Sequence, residues 1–299
     1  MKKSLTRKLT IAVIALVFAV VSLSTSTYAW FTISNTAQIE NFEAQVILGD
    51  GIEIAVTNTQ DVGEADWFIG SVKGDYIKNV FEQNGFEKFA ALTTSDTTSF
   101  LNVDDDEDEN GSGFIEFYVH IRAAKEGKVM LSSIEFETEE VEWVPGVGYL
   151  LGDNATEVSA TDKVTYKVAD AARVSLKVIA DQSTPYIYQN NQANNEFDGD
   201  SGYSGNYLGQ QCVNGALAVY NAKNEENQIE VPETTYEANE IKDLEGTAQE
   251  LSTIAAYDNT NDTIVTIQVK VWIEGFDSEC VNALFAQTLG VALGFEIEE

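Results

Sequence analysis

Alternation of apolar and polar residues near the C-terminus is the feature that most limits how this chain folds. One set of alternate positions is apolar: Val265, Ile267, Val269, Val271 and Ile273. The positions between them hold Thr266, Gln268, Lys270, Trp272 and Glu274. Because the side chains of a β-strand point alternately to opposite faces, this pattern predicts a strand with one buried face. A last strand follows, with its apolar face at Leu289, Val291, Leu293, Phe295 and Ile297.

The same period of two recurs along the chain. It predicts strands at 52–56, 114–123, 129–136, 164–168 and 172–178. Many short strands separated by turn residues are typical of sandwiches and barrels. We expect an all-β fold, a jelly-roll-like antiparallel β-sandwich, with loop insertions at about 61–110 and 189–260. Within these insertions we expect a helical turn near 78–82 and a helix at 247–256.

The first 29 residues have the organisation of a signal peptide. Lys2, Lys3, Arg7 and Lys8 precede an uncharged apolar run from Leu9 to Leu23, and small or polar residues then lead to Ala29. This order matches a basic region, an apolar helix and a small-x-small cleavage site. We therefore predict cleavage between Ala29 and Trp30, and one secreted or cell-surface domain at 30–299. An uncleaved membrane anchor is the alternative, since the apolar run is nearly long enough to span a bilayer.

The charge of the chain excludes some classes of partner. There are 49 acidic against 17 basic residues, for a net charge of −32, and four of the basic residues lie in the N-terminal segment. So acidic a body repels nucleic-acid phosphates, and we predict no nucleic-acid partner. The apolar content of 44% is too high for a disordered chain.

An acidic run at 104–111 is the candidate metal site. Asp104, Asp106, Asp108 and Asn110 place oxygen ligands at alternate positions, and Gly111 follows them, as at the start of an EF-hand calcium loop. Phe117 stands where that loop needs a bidentate glutamate. The sequence therefore favours a solvated acidic hairpin, with calcium as the alternative. We expect no other cofactor.

The remaining polar candidates have simpler explanations. Glu274, Asp277, Glu279 and Asn282 lie close enough to ring a cation or a sugar, but carboxylates that accept backbone N–H groups in a turn are the favoured interpretation. His120 is the only histidine, and we expect it on the surface of its strand. Cys212 and Cys280 either form one disulfide, which an oxidising compartment permits, or remain two thiols.

Both ends of the chain resemble one family. The sequence Tyr28-Ala29-Trp30-Phe31, followed by Asn41-Phe42-Glu43-Ala44 and an apolar run, is similar to the start of TasA/camelysin-type exported proteins. The C-terminal phrase Trp272-x-Glu-Gly-x-Asp-x-x-Cys-x-Asn resembles the end of exported proteins that carry the same junction. The resemblance implies export by a signal peptidase and assembly into surface or biofilm-matrix filaments.

Three functions follow from these features. The favoured one is a structural subunit that polymerises with itself by donor-strand addition of the segment after Ala29, with strand-compatible residues Phe31, Ile33, Ile39 and Phe42. Cell-wall or matrix components are further partners under this hypothesis. The alternatives are a monomeric adhesin or carbohydrate-binding sandwich, which would use loops at 66–89 and 189–209, and a secreted hydrolase. Because the sequence has a single histidine and neither a Gly-x-Ser-x-Gly elbow nor a P-loop, we expect no enzyme.

Overall fold

The described part of the chain is built mainly of β-strands. The computed structural model describes residues 42–48, 51–94, 96–102, 113–151, 156–180, 185–190, 219–220, 223, 241–242, 248–257, 263–275, 277, 279–281, 283–284 and 287–298. Its strands form a five-stranded and a nine-stranded sheet, both mainly antiparallel, with two smaller strand pairs. This confirms the predicted all-β sandwich. All described residues belong to one compact unit, Ala37–Glu299.

The five-stranded sheet, called the smaller sheet below, joins the first and the last strands that the structure describes. Its strands, in spatial order, are β16 (Gln249–Ile254), β8 (Gly127–Thr138), β18 (Leu289–Glu298), β1 (Phe42–Leu48) and β4 (Ser71–Val72). The pairing of β1 with β18 is parallel, from Phe42 opposite Leu289 to Leu48 opposite Phe295. The other three pairings of this sheet are antiparallel.

The nine-stranded sheet, called the larger sheet, holds the central core. Its main path runs through β15 (Ile241–Lys242), β14 (Tyr186–Gln189), β13 (Ala172–Val178), β17 (Val265–Glu274), β7 (Ile115–Ala123), β2 (Ile52–Thr57) and β3 (Phe68–Ile69). Beside this path, β5 (Ala91–Thr93) pairs with β17 and with β6 (Leu101–Asn102). A 3₁₀ helix at Val168–Ala171 leads directly into β13.

Rows of branched apolar side chains cross the larger sheet on one face, called the inner face. One row comprises Val56, Val119, Ile267 and Val178, which are at most 1% exposed. Burial of each such side chain stabilises the fold by about 1.5 to 3 kcal/mol. The predicted strands are therefore confirmed at β2, β7, β13 and β17. The expectation of a single buried face is wrong for β13 and β17, because most of their polar positions are buried as well.

Two further strand pairs form small sheets separate from the two main sheets. In the first, β9 (Glu140–Trp143) pairs with β12 (Val164–Lys167), and in the second β10 (Tyr149–Leu151) pairs with β11 (Thr156–Val158). A separate hydrophobic cluster lies here, with Val158 and Val219 buried against Trp143, Val147 and Val164. These strand pairs thus have a small hydrophobic core of their own.

The helix α1 (Gly74–Glu82) closes the sandwich along one side. It contacts β1 of the smaller sheet and β2 and β7 of the larger sheet. Of its buried residues, Val80 and Phe81 lie three and four positions after Ile77, which is the spacing of one helix face. A helical turn was predicted near 78–82, and the helix begins four residues earlier.

One predicted helix is wrong. Residues 249–254 form the edge strand β16, where the sequence predicted a helix at 247–256. The register of β16 against β8 shifts between Glu250 and Ser252, so the strand carries a bulge. The bulge interrupts the alternation, and the buried residues Leu251 and Ile254 lie three positions apart. That spacing imitates one face of a helix.

The two ranges expected as insertions contribute strands to both sheets. The first supplies β3, β5 and β6 to the larger sheet and β4 to the smaller one. The second supplies β15 and β16, and the described end of β14 marks its start. Among the described residues, no helix is both long and apolar enough to cross a membrane. The apolar run at 9–23 and the signal-peptide prediction lie outside the described residues.

Candidate functional site

The edge of β1 is the candidate assembly site. On one side, β1 pairs with β18 along all seven of its residues. On the other side, β4 pairs only with Val46 and Ile47. Within the part of the chain that the structure describes, the stretch Phe42–Gln45 therefore has a strand partner on one side alone. Unpaired N–H and C=O groups along a strand edge are a template for another strand.

Of the four predicted donor residues, the structure describes Phe42. Phe42 is the first residue of β1 and faces Leu289 across the parallel pair. Phe31, Ile33 and Ile39 lie outside the described residues, as do the predicted cleavage residues Ala29 and Trp30. The donor-strand role therefore stays a prediction.

Two phenylalanines flank the acidic run in sequence and contact each other. Phe100 and Phe114, which flank the run in sequence, stack with ring centroids 4.1 Å apart. Below them the buried Lys270 ammonium lies 5.4 Å from each ring centroid, donates to the Thr97 carbonyl at 2.7 Å and lies 3.1 Å from Glu116 Oε2. The two phenylalanines that flank the run in sequence are thus held together over a buried cation.

The predicted calcium ligands themselves are not part of this geometry. Asp104, Asp106, Asp108 and Asn110 lie outside the described residues. Among the residues that are described, no three or more His, Cys, Asp or Glu side chains are grouped so that they could hold a metal ion. Calcium binding by the acidic run stays a prediction.

Residues of the C-terminal acidic phrase cluster with residues near β13 and β14. We call this cluster the Arg173 centre: Asp170, Arg173, Asn190, Trp272, Glu274 and Asp277. The Arg173 guanidinium donates to Asp277 Oδ2 at 2.6 Å, and both residues are 1% exposed. Asp277 Oδ1 accepts the backbone N–H of Glu279 at 2.9 Å. The turn-capping role that the sequence favoured is therefore present at Asp277, together with an ion pair that the sequence did not predict.

Neighbouring side chains complete the Arg173 centre. The Trp272 indole donates to Glu274 Oε2 at 3.1 Å, and the Asn190 amide donates to Asp170 Oδ1 at 2.7 Å. Arg173 also donates to the backbone carbonyls of Asp170 and Ala172. The centre therefore ties the 3₁₀ helix, the end of β14 and the turn after β17 to β13. Asn282 lies outside the described residues.

Burial changes the protonation behaviour of both aspartates. It raises the pKa of the Asp277 carboxyl, while the Arg173 guanidinium and the Glu279 N–H oppose that change. Burial also raises the pKa of Asp170 to about 6; the Asn190 amide opposes the rise, and the negative charge of Asp277 adds to it. Asp277 has the ion pair with the guanidinium, whereas the side chain of Asp170 accepts from a neutral amide. This centre is suited to holding elements together, because its ion pair between Arg173 and Asp277 is buried, with both residues 1% exposed.

His120 is buried, so the prediction of a surface histidine is wrong. Its ring is 0% exposed and lies between two threonine hydroxyls, with Nε2 2.8 Å from Thr57 Oγ1 and Nδ1 3.0 Å from Thr266 Oγ1. The Thr57 hydroxyl donates to the Thr59 carbonyl at 2.6 Å, so it accepts from His120, and the proton of the neutral ring lies on Nε2. Burial lowers the pKa of His120 to about 4. We call this arrangement the His120 centre.

The aromatic residues of the loop at 66–89 pack against the protein itself. Trp67 lies over the Arg122 guanidinium at 4.1 Å, and Phe68 makes an edge contact with Tyr76 at 4.8 Å. Phe86 makes edge contacts with two neighbouring rings, Phe81 and Phe89. These contacts of the rings with one another and with Arg122 stabilise the fold.

The predicted disulfide is untested. Cys280 is buried at 1% exposure with a free thiol, and burial raises its pKa. Cys212 lies outside the described residues, so the pairing stays a prediction.

Comparison of the chain with models of known protein families, with curated proteins and with solved structures finds no match.

Proposed function

We propose that the protein is an exported surface or matrix subunit that polymerises with copies of itself by strand addition. The observation that carries the proposal is the edge of β1: Phe42–Gln45 are paired with β18 on one side, and β4 ends short of them on the other. The donor would be the segment immediately upstream, Trp30–Ala44 of another copy. Signal peptidase is the first partner, because its cut after Ala29 frees this segment.

The composition of the donor segment suits this role. From Trp30 to Ile39 the segment carries no charged side chain, and Glu40 and Glu43 follow, whereas the whole chain has a net charge of −32. Two strongly acidic bodies repel each other, so an extension that begins without charged side chains is the part that approaches a second copy most easily. In an extended conformation, the odd-numbered Phe31, Ile33 and Ile39 lie on one face and can fill pockets on the acceptor.

Assembly of purified protein tests this function. The protein that begins at Trp30 is compared with a truncated protein that begins at Glu43, by light scattering and electron microscopy over a range of concentrations. We expect fibres from the first and at least a tenfold lower rate from the second. The truncation keeps six of the seven residues that pair with β18, from Glu43 to Leu48. A thermal melt checks that both proteins are folded.

Two outcomes would contradict the proposal. Polymerisation of the truncated protein at the full rate would show that Trp30–Phe42 is not the donor. A protein that begins at Trp30 and stays monomeric at every concentration, with a melting temperature that rises with added glycans, would favour the adhesin alternative.

A further inference from the structure

The segment Phe68–Val72 covers edges of both sheets. Its first two residues form β3, where Phe68 pairs with Ile54 and Ile69 with Glu53 at the edge of the larger sheet. Its last two form β4, where Ser71 pairs with Ile47 and Val72 with Val46 at the edge of the smaller sheet. Gly70 lies between them with φ at +86°. One short segment thus crosses from one sheet edge to the other.

The two ends of this segment are anchored unequally. Val72 is 0% exposed and leads into α1, whereas Ile69 is 77% exposed. A strand held by two residue pairs is among the weakest parts of a sheet, and such parts open locally before the core does. Very short edge strands are also a common means by which proteins prevent unwanted strand pairing.

Gly70 allows the backbone of the segment to adopt a positive φ without strain. At φ of +86° a residue with a Cβ is strained, while a Cβ built at this position meets nothing within 4 Å. A substitution by alanine therefore changes backbone strain without a steric clash. Gly63 offers a matched control: its φ is +52°, and a Cβ there also meets nothing within 4 Å.

We infer that Phe68–Val72 is an edge guard, a segment that limits strand addition at β1 and is displaced when the donor strand of a second copy pairs there. This inference rests on the proposed function, because it names what regulates the same edge. Displacement of β4 lengthens the available edge of β1 from Phe42–Gln45 to include Val46 and Ile47, its two residues paired with β4. Each added residue contributes main-chain hydrogen bonds to the incoming strand.

One variant weakens the pairing of the guard, a second variant locks it, and a third serves as a control. Gly70→Ala strains the guard, so we expect fibre formation about tenfold faster than with wild type, the factor expected when a left-handed residue gains a Cβ. Gly63→Ala introduces comparable strain away from β1 and should leave the rate unchanged. The lock is Val46→Cys with Val72→Cys in a Cys212→Ser background, since directly opposed residues of antiparallel strands lie within disulfide reach.

The lock gives a reversible test. We expect the oxidised lock to form fibres at least tenfold more slowly than the same protein treated with reductant. Equal rates for the oxidised and reduced lock, or for Gly70→Ala and Gly63→Ala, would overturn the edge guard while fibres from wild type uphold the proposed function.

Hydrogen exchange separates failure of the guard from failure of the proposed function. We expect the amides of β1 to exchange about tenfold faster in Gly70→Ala than in Gly63→Ala, whether or not fibres form. Absence of fibres from wild type would contradict the proposed function. Unchanged exchange in Gly70→Ala would contradict the guard by itself.

Discussion

The His120 centre and the Arg173 centre occupy the same face of the larger sheet, opposite the inner face, and handle buried polarity in different ways. His120 is neutral and bonded to hydroxyls, with a pKa lowered to about 4. Arg173 keeps its charge because Asp277 lies 2.6 Å away. Burial disfavours charge in both places, and the availability of an opposite charge decides which group stays ionised.

Removal of one partner of the ion pair should have the largest effect. We expect Asp277→Ala to lower the free energy of unfolding by about 3 to 5 kcal/mol, because the Arg173 guanidinium remains buried without its carboxylate. Urea denaturation measures the change. The double variant Arg173→Met with Asp277→Leu removes both charges and should cost much less. Equal losses in the single and double variants would contradict the electrostatic explanation.

Acid should weaken the His120 centre by a smaller amount. The folded pKa of about 4 lies below the unfolded value of about 6.5, so the unfolded chain takes up the proton first. The contribution of neutral His120 is therefore complete above pH 6.5 and is lost as the pH falls toward 4, about 3 kcal/mol in total.

The variant His120→Val isolates this contribution. It lacks the titrating ring, so its free energy of unfolding should fall less steeply than that of wild type between pH 6.5 and 4. Denaturation at a series of pH values gives both slopes. Identical slopes would show that the buried ring does not titrate in this range.

The Arg173 centre should respond to pH in the opposite direction through Asp170. Its folded pKa of about 6 lies above the ordinary value of 3.8, so the fold favours the protonated carboxyl. Stability from this group grows as the pH falls from above 6 toward 3.8, the same range in which His120 loses stability. In wild type the two effects therefore oppose each other.

Replacement of the carboxyl by its neutral isostere separates the two responses. We expect Asp170→Asn to raise the free energy of unfolding at pH 7 by about 1 to 2 kcal/mol, because the charge that burial disfavours is removed. Thermal melts at pH 7 and pH 4 measure this. The gain should disappear at pH 4, and a gain of equal size at both pH values would point to packing instead.

The smallest effect should come from an ion pair outside both centres. Lys163 and Glu142 lie 2.6 Å apart, but their side chains are 64% and 65% exposed. We expect Lys163→Ala to change the free energy of unfolding by less than about 0.5 kcal/mol, since solvent screens the pair. A loss comparable to that of Asp277→Ala would mean that burial is not what separates the two pairs.

Sequence patterns predicted the central strands because period-two alternation is local. They did not predict the two buried centres, since the partners of Arg173 and His120 are 104 and 146 residues away in the chain at Asp277 and Thr266. Arg173 and His120 occupy the polar positions of alternating strands, which normally face solvent. Here the second face of the larger sheet is covered as well: Lys270 and Trp272, on the same face, are also buried. An arginine among Ala171, Ala172 and Val174 was the one local sign of burial.

The parallel pairing of β1 with β18 also affects the order in which strands can pair during synthesis. Synthesis proceeds from the N-terminus, so β1 is made long before its partner β18. The smaller sheet cannot close until β18 has emerged, and such long-range pairing is slow to form. Until then β1 is a strand without its permanent neighbour, and the nascent chain is most open to pairing with another molecule in that interval.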